Sequence, residues 1–513
     1  MADSAKPVDG SEVQRTFPPI WAITTYFAQG FPYSLVRQIS TVFFKDHGAS
    51  LQAVGLTSLY GIPWVLKALW APAVDAFATK RRWLLGAEVS LILAVLAMAA
   101  GSAMSNALEV VSVLFLLTAF LSATHDIAVD GFYLEHLGRE EQARYVGYQA
   151  MAYRLALIAG GGGVVAFSGW TNWVAGFCLG AGVLLALLLV HVFLLPAKEV
   201  PKRPIRELLL DLARPKALVD LIAVAAAVCM VWWVWNLAPV QAWLAPSKPI
   251  LAKIGLPGFI TIGLLVVLLA LLLGLGRLKR ALHASDSFYA KAFIDYLDQP
   301  RIGLILAFLV TYRTGESFLL AMVYPLLKDI GINRAQYGII YGTFGIAASI
   351  TGGILGGYLI SKFGLKRVIW PLMLSQNVPH LLYMALALLY GHLVGQPESA
   401  GAANPYAVAP FVVAEAFGAG MGTSVFMVFI QRTCKTTFKA AHFSIATSIM
   451  NISSTLAGVL SGYFAIWMGW PFFFAFTFFV TIPSMALIPW LPLLDAGKPP
   501  SVGAGEGEDA GKK

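Results

Sequence analysis

About twenty consecutive apolar residues span a bilayer, and this chain repeats such stretches along almost its whole length. They run approximately over 17–44, 51–76, 83–104, 107–133, 145–168 and 173–197, then 217–245 and 257–276. Six more follow at 302–327, 336–361, 368–392, 405–431, 441–467 and 470–494. With 58% hydrophobic and only 12% charged residues, the 513-residue chain has too little polar surface for a soluble protein of this size. The expected class is an all-α polytopic membrane protein with fourteen transmembrane helices arranged as six, two and six.

A net charge of +9 suggests nucleic acid, but the basic residues form no single patch or tail. They fall in alternate loops. With the N-terminus inside, 27 of the 36 Lys and Arg lie on the inside, five on the outside, and four (Arg37, Lys67, Arg154 and Arg313) within the membrane. That bias predicts an N-in, C-in orientation and no nucleic-acid partner. Cys178, Cys229 and Cys434 lie in or beside apolar segments and give no disulfide framework. No Cys/His metal spacing and no Gly-rich phosphate loop occurs, so no cofactor or metal is expected. The first sixteen residues lack a signal-peptide pattern, and the first helix is expected to be an uncleaved anchor. The expected organisation is a disordered tail at 1–16, a six-helix bundle at 17–197, basic linkers with two extra helices at 198–300, a second bundle at 301–494, and a disordered tail at 495–513.

The two bundles carry an internal repeat. Lys45-Asp46-His47-Gly48 is followed at a distance of seven by Gly55, and Lys328-Asp329-Ile330-Gly331 at the same distance by Gly338. Ser50 and Asn333 stand where each can cap the next helix. One helix later, Ala71-x-x-x-Asp75 with Lys80-Arg81-Arg82 corresponds to Gly357-x-x-x-Ser361-Lys362-x-Gly364-x-Lys366-Arg367.

Inside the apolar segments, Asp126 and Asp130 lie four apart on one helix face. Carboxylates at bilayer depth persist mainly beside a polar cavity, a cation or a proton path. Lys67 and Arg154 either neutralise these two acids or meet a substrate directly. Arg313 and Glu316 are three apart and can pair along one face. Glu415 has no local partner, which makes it the first candidate to carry a proton, ahead of Asp126 and Glu316. Arg37 either snorkels or faces a cavity. His380 fits helix packing. Gly160-Gly161-Gly162-Gly163 most simply permits close backbone contact. His125 and Asp130 also spell His-x-x-x-x-Asp, a pattern of membrane acyltransferases. On an unbroken helix those two lie about 140° apart, against about 40° for Asp126 and Asp130, so the enzyme reading requires a helix break that neither Pro nor Gly within the motif supplies.

The repeat, helix count and basic loops resemble the major facilitator superfamily. The resemblance implies two six-helix bundles, with the first and fourth helices of each lining a central path; those helices hold Arg37, Asp126, Asp130, Arg313, Glu316 and Glu415. It also implies gating loops at Asp75, Arg81, Arg82, Lys362, Lys366 and Arg367. More narrowly, Trp70-Ala71-Pro72-Ala73-Val74-Asp75, Asp126-Ile127-Ala128-Val129-Asp130, Gly147-Tyr148, Tyr153-Arg154-Leu155, Tyr312-Arg313-x-Gly315-Glu316 and Glu415 with Gly420-Met421-Gly422-Thr423-Ser424 look like the peptide/acetyl-coenzyme A transporter family. The second-half blocks are most similar to AmpG-type muropeptide permeases. That likeness implies proton-driven import of a muropeptide through a bacterial cytoplasmic (inner) membrane by a multi-pass monomer whose partners are membrane lipids, a small-molecule substrate and the proton. It implies that Lys67, Asp126, Asp130, Arg154, Arg313, Glu316 and Glu415 are the family's membrane-embedded polar positions; with Arg37 and His125 added from their own places in the helices, the expected substrate path and ion-pair set is Arg37, Lys67, His125, Asp126, Asp130, Arg154 and Arg313. His125 departs from the Gln usual in these families, Arg37 has no counterpart in the permease pattern, and the extra helix pair is not general. Acetyl-coenzyme A or a siderophore are the alternative substrates.

Overall fold

The computed structural model describes residues 19–197 apart from 68, 69 and 138, and 288–494 apart from 397–400 and 435–438, with isolated positions between 198 and 287. The two tails and almost all of the extra pair expected at 217–245 and 257–276 lie outside the described residues. So does the side chain of Asp75.

A backbone surrounded by apolar side chains must satisfy its own hydrogen bonds, which favours helices throughout. The first half is built from α1 (Ile20–Ser34), α2 (Ser40–Asp46), α3 (Leu51–Leu56), α4 (Ile62–Leu66), α5 (Ala71–Ala76), α6 (Lys80–Ser102), α7 (Ala107–His136), α8 (Arg139–Leu157), α9 (Val165–Trp170) and α10 (Trp173–Leu194). The second has α11 (Phe288–Leu297), α12 (Ile302–Tyr312), α13 (Thr314–Asp329), α14 (Arg334–Ile339), α15 (Ile346–Phe363), α16 (Leu365–Asn377), α17 (His380–Leu389), α18 (Pro405–Thr433), α19 (Lys439–Phe479) and α20 (Ile482–Leu487). No strand forms among the described residues. Nine helical runs among them are long and apolar enough to cross a membrane, and Leu51–Leu66 is a shorter apolar one.

The ends of these helices follow from local chemistry. Ser50 accepts from the Ala53 amide, and Asn333 forms a capping box with Gln336, as their spacing predicts. Gly48 and Gly331, the equivalent glycines of the repeat, both adopt positive φ (76° and 94°), a conformation glycine takes without a Cβ penalty. Gly469 at φ 71° interrupts α19 just before Pro471, so that one long run is two helices meeting at a bend.

Large apolar side chains remain outward all along the helices, including Leu93, Val113, Phe193 and Ile354 at 62%, 67%, 81% and 70% exposure. In water that would drive aggregation; in a bilayer it is the lipid-facing surface.

The chain divides into two compact units. The first comprises Met1–Ile262 with Ala321–Ile346 and Leu393–Tyr406; the second comprises Gly263–Leu320, Ala347–His392 and Ala407–Lys513. In the first, Phe132, Val129, Leu84 and Trp21 centre one apolar core; in the second, Phe308, Tyr312, Phe426 and Phe429 centre another. The glycine tract falls in a π-helical turn, Ile158–Val164, where Gly161 and Gly162 approach the Gly342 backbone so closely that a Cβ at Gly342 would lie 2.2 Å from the Gly161 carbonyl oxygen. Close contact, the simpler expectation for the tract, is what it provides.

Candidate functional site

Two clusters of charge are buried among the apolar helices, one in each unit. In the first, α7 is continuous through Asp126 and Asp130, so both acids project to one side. Lys67, just beyond α4, pairs with Asp126 and lies 3.9 Å from Asp130. From α1, Gln29 donates to Asp126, and the Tyr26 hydroxyl donates to Asp130 at 3.1 Å. Asp126 is 7% exposed. Two carboxylates thus face one cation, so the cluster carries one negative charge in excess when both acids are ionised.

The second cluster sits where α12 gives way to α13. Arg313 falls at that break and pairs with Glu316 at 2.7 Å, one turn on. Gln376 of α16 donates to Glu316 at 3.1 Å, and Arg313 donates to the Thr423 hydroxyl at 3.0 Å. Glu415 on α18 is 1% exposed, and its Oε1 meets no hydrogen-bond partner among the described residues. Its charged neighbours are Glu316 and Arg313. Again two acids face one base.

Close approach of α18 to α16 makes this cluster possible. A Cβ on Gly422 would fall 1.6 Å from the Gln376 Oε1. Gly422→Ala is therefore expected to displace Gln376 from Glu316, costing about 1–3 kcal/mol and lowering uptake several-fold. Thermal unfolding in detergent and initial-rate uptake check this; an unchanged melting temperature and rate would contradict the packing account.

Of the remaining predicted path residues, Arg37 donates to the Ser58 carbonyl at 2.8 Å, tying the first helical run to the second. Arg154 is half-buried and makes no ion pair among the described residues, so the expected neutralisation of Asp126 and Asp130 falls to Lys67 alone. His125 is fully buried on a different face of α7, 3.4 Å from Glu88. It is not beside the two aspartates, because one residue along a helix rotates the side chain by about 100°. Since α7 has no break, the acyltransferase pairing of His125 with Asp130 has no geometric basis. Among the loop residues, Arg81 donates to the Val192 carbonyl at 2.8 Å, Lys362 lies over the Tyr358 and Phe363 rings, and Arg82, Lys366 and Arg367 are exposed.

The repeated Lys-Asp pairs form a third set of contacts, all within the first unit. Lys45 pairs with Asp329 at 2.7 Å, and Lys328 pairs with Asp46 at 2.9 Å. The two copies of one motif thus bind each other reciprocally. Arg334 adds a second ion pair to Asp46, at 3.0 Å, and lies over the Trp173 ring, whose indole also donates to Asp46. Beside them is a polar cavity of about 540 Å³ lined in part by Asp46, Lys328, Arg334, Gln396 and Ala402.

Burial pushes the Asp46 carboxyl up, but Lys328, Arg334 and Trp173 together hold it below the usual carboxylate range. A depressed carboxyl stabilises its contacts above its ordinary value, and loses them only as pH falls through the lowered one. The contacts of Asp46 are therefore expected to persist from about pH 8 down to about pH 5. Reversing Lys45→Asp or Asp329→Lys alone should raise the labelling rate of a cysteine placed at Ala402 about tenfold, equivalent to about 1.4 kcal/mol. The double exchange should restore it. Equal labelling in all four proteins would show that the Lys45–Asp329 pair does not restrict access to the cavity.

Buried charges of this kind, on many helices with an apolar exterior, mark functional sites of a multi-pass membrane protein, and the family match makes that protein a transporter. The family model described as Major Facilitator Superfamily matches residues 15–288 and 304–512, and the chain belongs to that superfamily. It is 22% identical over 469 residues to the anhydromuropeptide permease of Escherichia coli K12, covering 90% of this chain and 77% of that one. A Rickettsia bellii protein named putative transporter AmpG 2 is 30% identical over 214 residues, covering 42% of this chain and 50% of its own. Among solved structures, a POT family transporter in complex with 5-aminolevulinic acid is similar at a TM-score of 0.62 and 15% identity, covering 93% of this chain and 96% of that one.

Proposed function

We propose that this chain is a proton-coupled importer of an anhydro-muropeptide or closely similar sugar-peptide solute, working as a monomer in a bacterial cytoplasmic membrane with both termini inside and fourteen crossings. The observation that carries this reading is charge imbalance: each buried cluster sets two carboxylates against one cation. The surplus acid in each is a place for a proton to bind, with Glu415 and Asp126 the leading carriers and Glu316 and Asp130 their partners. Arg154, and Arg37 once released from Ser58, supply positive charge for an anionic or polar solute. The reciprocal Lys45–Asp329 and Asp46–Lys328 pairs act as the outer latch, and the basic loops around Asp75, Arg81, Arg82, Lys362, Lys366 and Arg367 act on the inner side. Similarity to the anhydromuropeptide permease supports the substrate class.

A proton entering down a potential gains about 2.3 kcal/mol per 100 mV, enough to drive accumulation. Uptake of labelled anhydro-muropeptide, acetyl-coenzyme A and a siderophore into proteoliposomes, with and without a proton gradient, tests the reading. Gradient-dependent accumulation of the muropeptide alone is expected. Accumulation of either other compound instead would replace the substrate assignment, and accumulation indifferent to the gradient would reject coupling.

A further inference from the structure

A groove of about 330 Å³ runs between α6 and α7, lined by Arg82, Gly86 and Ser90 from one helix and Leu121 and Thr124 from the other. Two residues along a helix turn the side chain by about 200°, so Thr124 stands on the far side of α7 from Asp126. The groove is therefore separate from the path acids. Its rims point to lipid, because Val89 and Leu93 on α6 and Leu117 and Phe120 on α7 are all exposed. Its walls are mainly apolar. From Arg82 to Ser90 it follows α6 for about 12 Å, most of the roughly 15 Å half-thickness of a bilayer's hydrocarbon core. Gly86 makes the notch. A Cβ there would meet no atom within 4 Å, so no neighbouring helix requires this glycine, although glycine inside a helix is destabilising relative to alanine.

The Arg82 end of the groove is basic. Lys80, Arg81 and Arg82 form the first turn of α6 with no acid among them, which sets cations on the positive end of the helix dipole. Lys80 and Arg81 turn to carbonyls, of Val74 at 3.0 Å and Val192 at 2.8 Å. Arg82 is exposed, and its guanidinium makes no hydrogen bond or ion pair among the described residues. The chain then returns to this end. The Ala78 amide donates to the Arg203 carbonyl at 2.8 Å, and the Arg203 amide donates to the Ala76 carbonyl at 3.3 Å. Ala78 is part of the groove lining, so the exposed Arg203 is held beside it, with the exposed Arg206 three residues on. Glu207 is the described acid next to these arginines, which leaves the end positive. Trp83, whose indole donates to the Phe77 carbonyl at 2.6 Å, is the amphipathic ring typical of the level where headgroups meet hydrocarbon.

An apolar slot of acyl-chain depth with an unpaired cation at its mouth complements a lipid that carries negative charge. A soluble anion would leave the slot unfilled. We propose that this groove binds one anionic phospholipid from the surrounding bilayer, its phosphate on Arg82 and Arg203 and one acyl chain laid over Gly86 toward Ser90. The site requires only that the protein sits in a membrane, and it is independent of what the protein transports.

Native mass spectrometry of the full-length protein, titrated in detergent with phosphatidylglycerol and phosphatidylcholine of identical chains, tests this. The native protein is expected to prefer phosphatidylglycerol about tenfold. Arg82→Gln should lower that preference about fivefold, the effect of one basic residue at a charged membrane surface. Gly86→Leu, which fills the notch, should weaken phosphatidylglycerol binding about tenfold. Gly182→Leu, at an equally open glycine of α10, should leave it unchanged. Thermal unfolding checks that each variant is folded; should Gly86→Leu fail, Leu121→Trp fills the same groove from α7. Equal binding of the two lipids by the native protein would overturn the proposal, as would a preference unaltered in Arg82→Gln. Binding that survives the groove-filling variants and is displaced by inorganic phosphate would reduce the site to a headgroup contact and overturn the acyl-chain groove.

Discussion

Lys67→Met is expected to abolish gradient-driven uptake and destabilise the protein by about 3 kcal/mol. Removing one member of a buried ion pair leaves its partner as an uncompensated charge, typically costing about 3–5 kcal/mol. The value here falls at the low end because the side chains of Lys67 and Asp130 are 33% and 45% exposed, and water can screen part of the loss. Adding Asp126→Asn should recover most of the stability, since the remaining Asp130 keeps its bond from Tyr26 and its partial exposure. It should not recover uptake, because the cluster then lacks both its cation and one acid. Unfolding in detergent and proteoliposome uptake separate the two effects. If the single variant were as stable and active as the native protein, Lys67 would not be the charge that holds these acids.

Glu415→Gln is expected to eliminate accumulation against a gradient while leaving exchange of internal for external substrate. The side chain is 1% exposed and Gln has nearly the same shape, so packing should survive. What disappears is the surplus carboxylate of the second cluster. With Glu316 still bonded to Arg313 and Gln376, the site keeps its architecture but has no spare acid to protonate. Steady-state accumulation ratios and counterflow rates in the same vesicles distinguish this from collapse. Retained accumulation at the native level would move the proton to Asp126 or Asp130.

Much of this could be seen in the sequence because hydrocarbon makes charge rare. Once nearly every residue of a helix is apolar, Asp126, Asp130, Arg313, Glu316 and Glu415 stand out, and a spacing of three or four already says which share a face. The pairing of Arg313 with Glu316 and the caps at Ser50 and Asn333 follow from such local spacing. Long-range partners do not. Nothing in the chain says that Lys67 rather than Arg154 reaches the two aspartates, or that Arg37 turns to the Ser58 carbonyl. Uncharged polar residues were harder still: Tyr26, Gln29, Gln376 and Thr423 complete the clusters, yet single polar residues on apolar helices are common and carry no spacing signal. His125 misled because its neighbours in sequence are the path acids, while its neighbour in space is Glu88. The Lys-Asp repeat was visible as similarity between the halves. That its two copies bind each other is a tertiary fact, recoverable only when the ends of both are placed together.

The reading stands on the surplus carboxylates of the two clusters carrying protons along with the solute. Internal pH, followed with a trapped dye while anhydro-muropeptide runs downhill into unenergised proteoliposomes, measures that directly. The account predicts acidification that tracks substrate entry and vanishes in Glu415→Gln. Substrate entering at its full rate with no change in internal pH would contradict it.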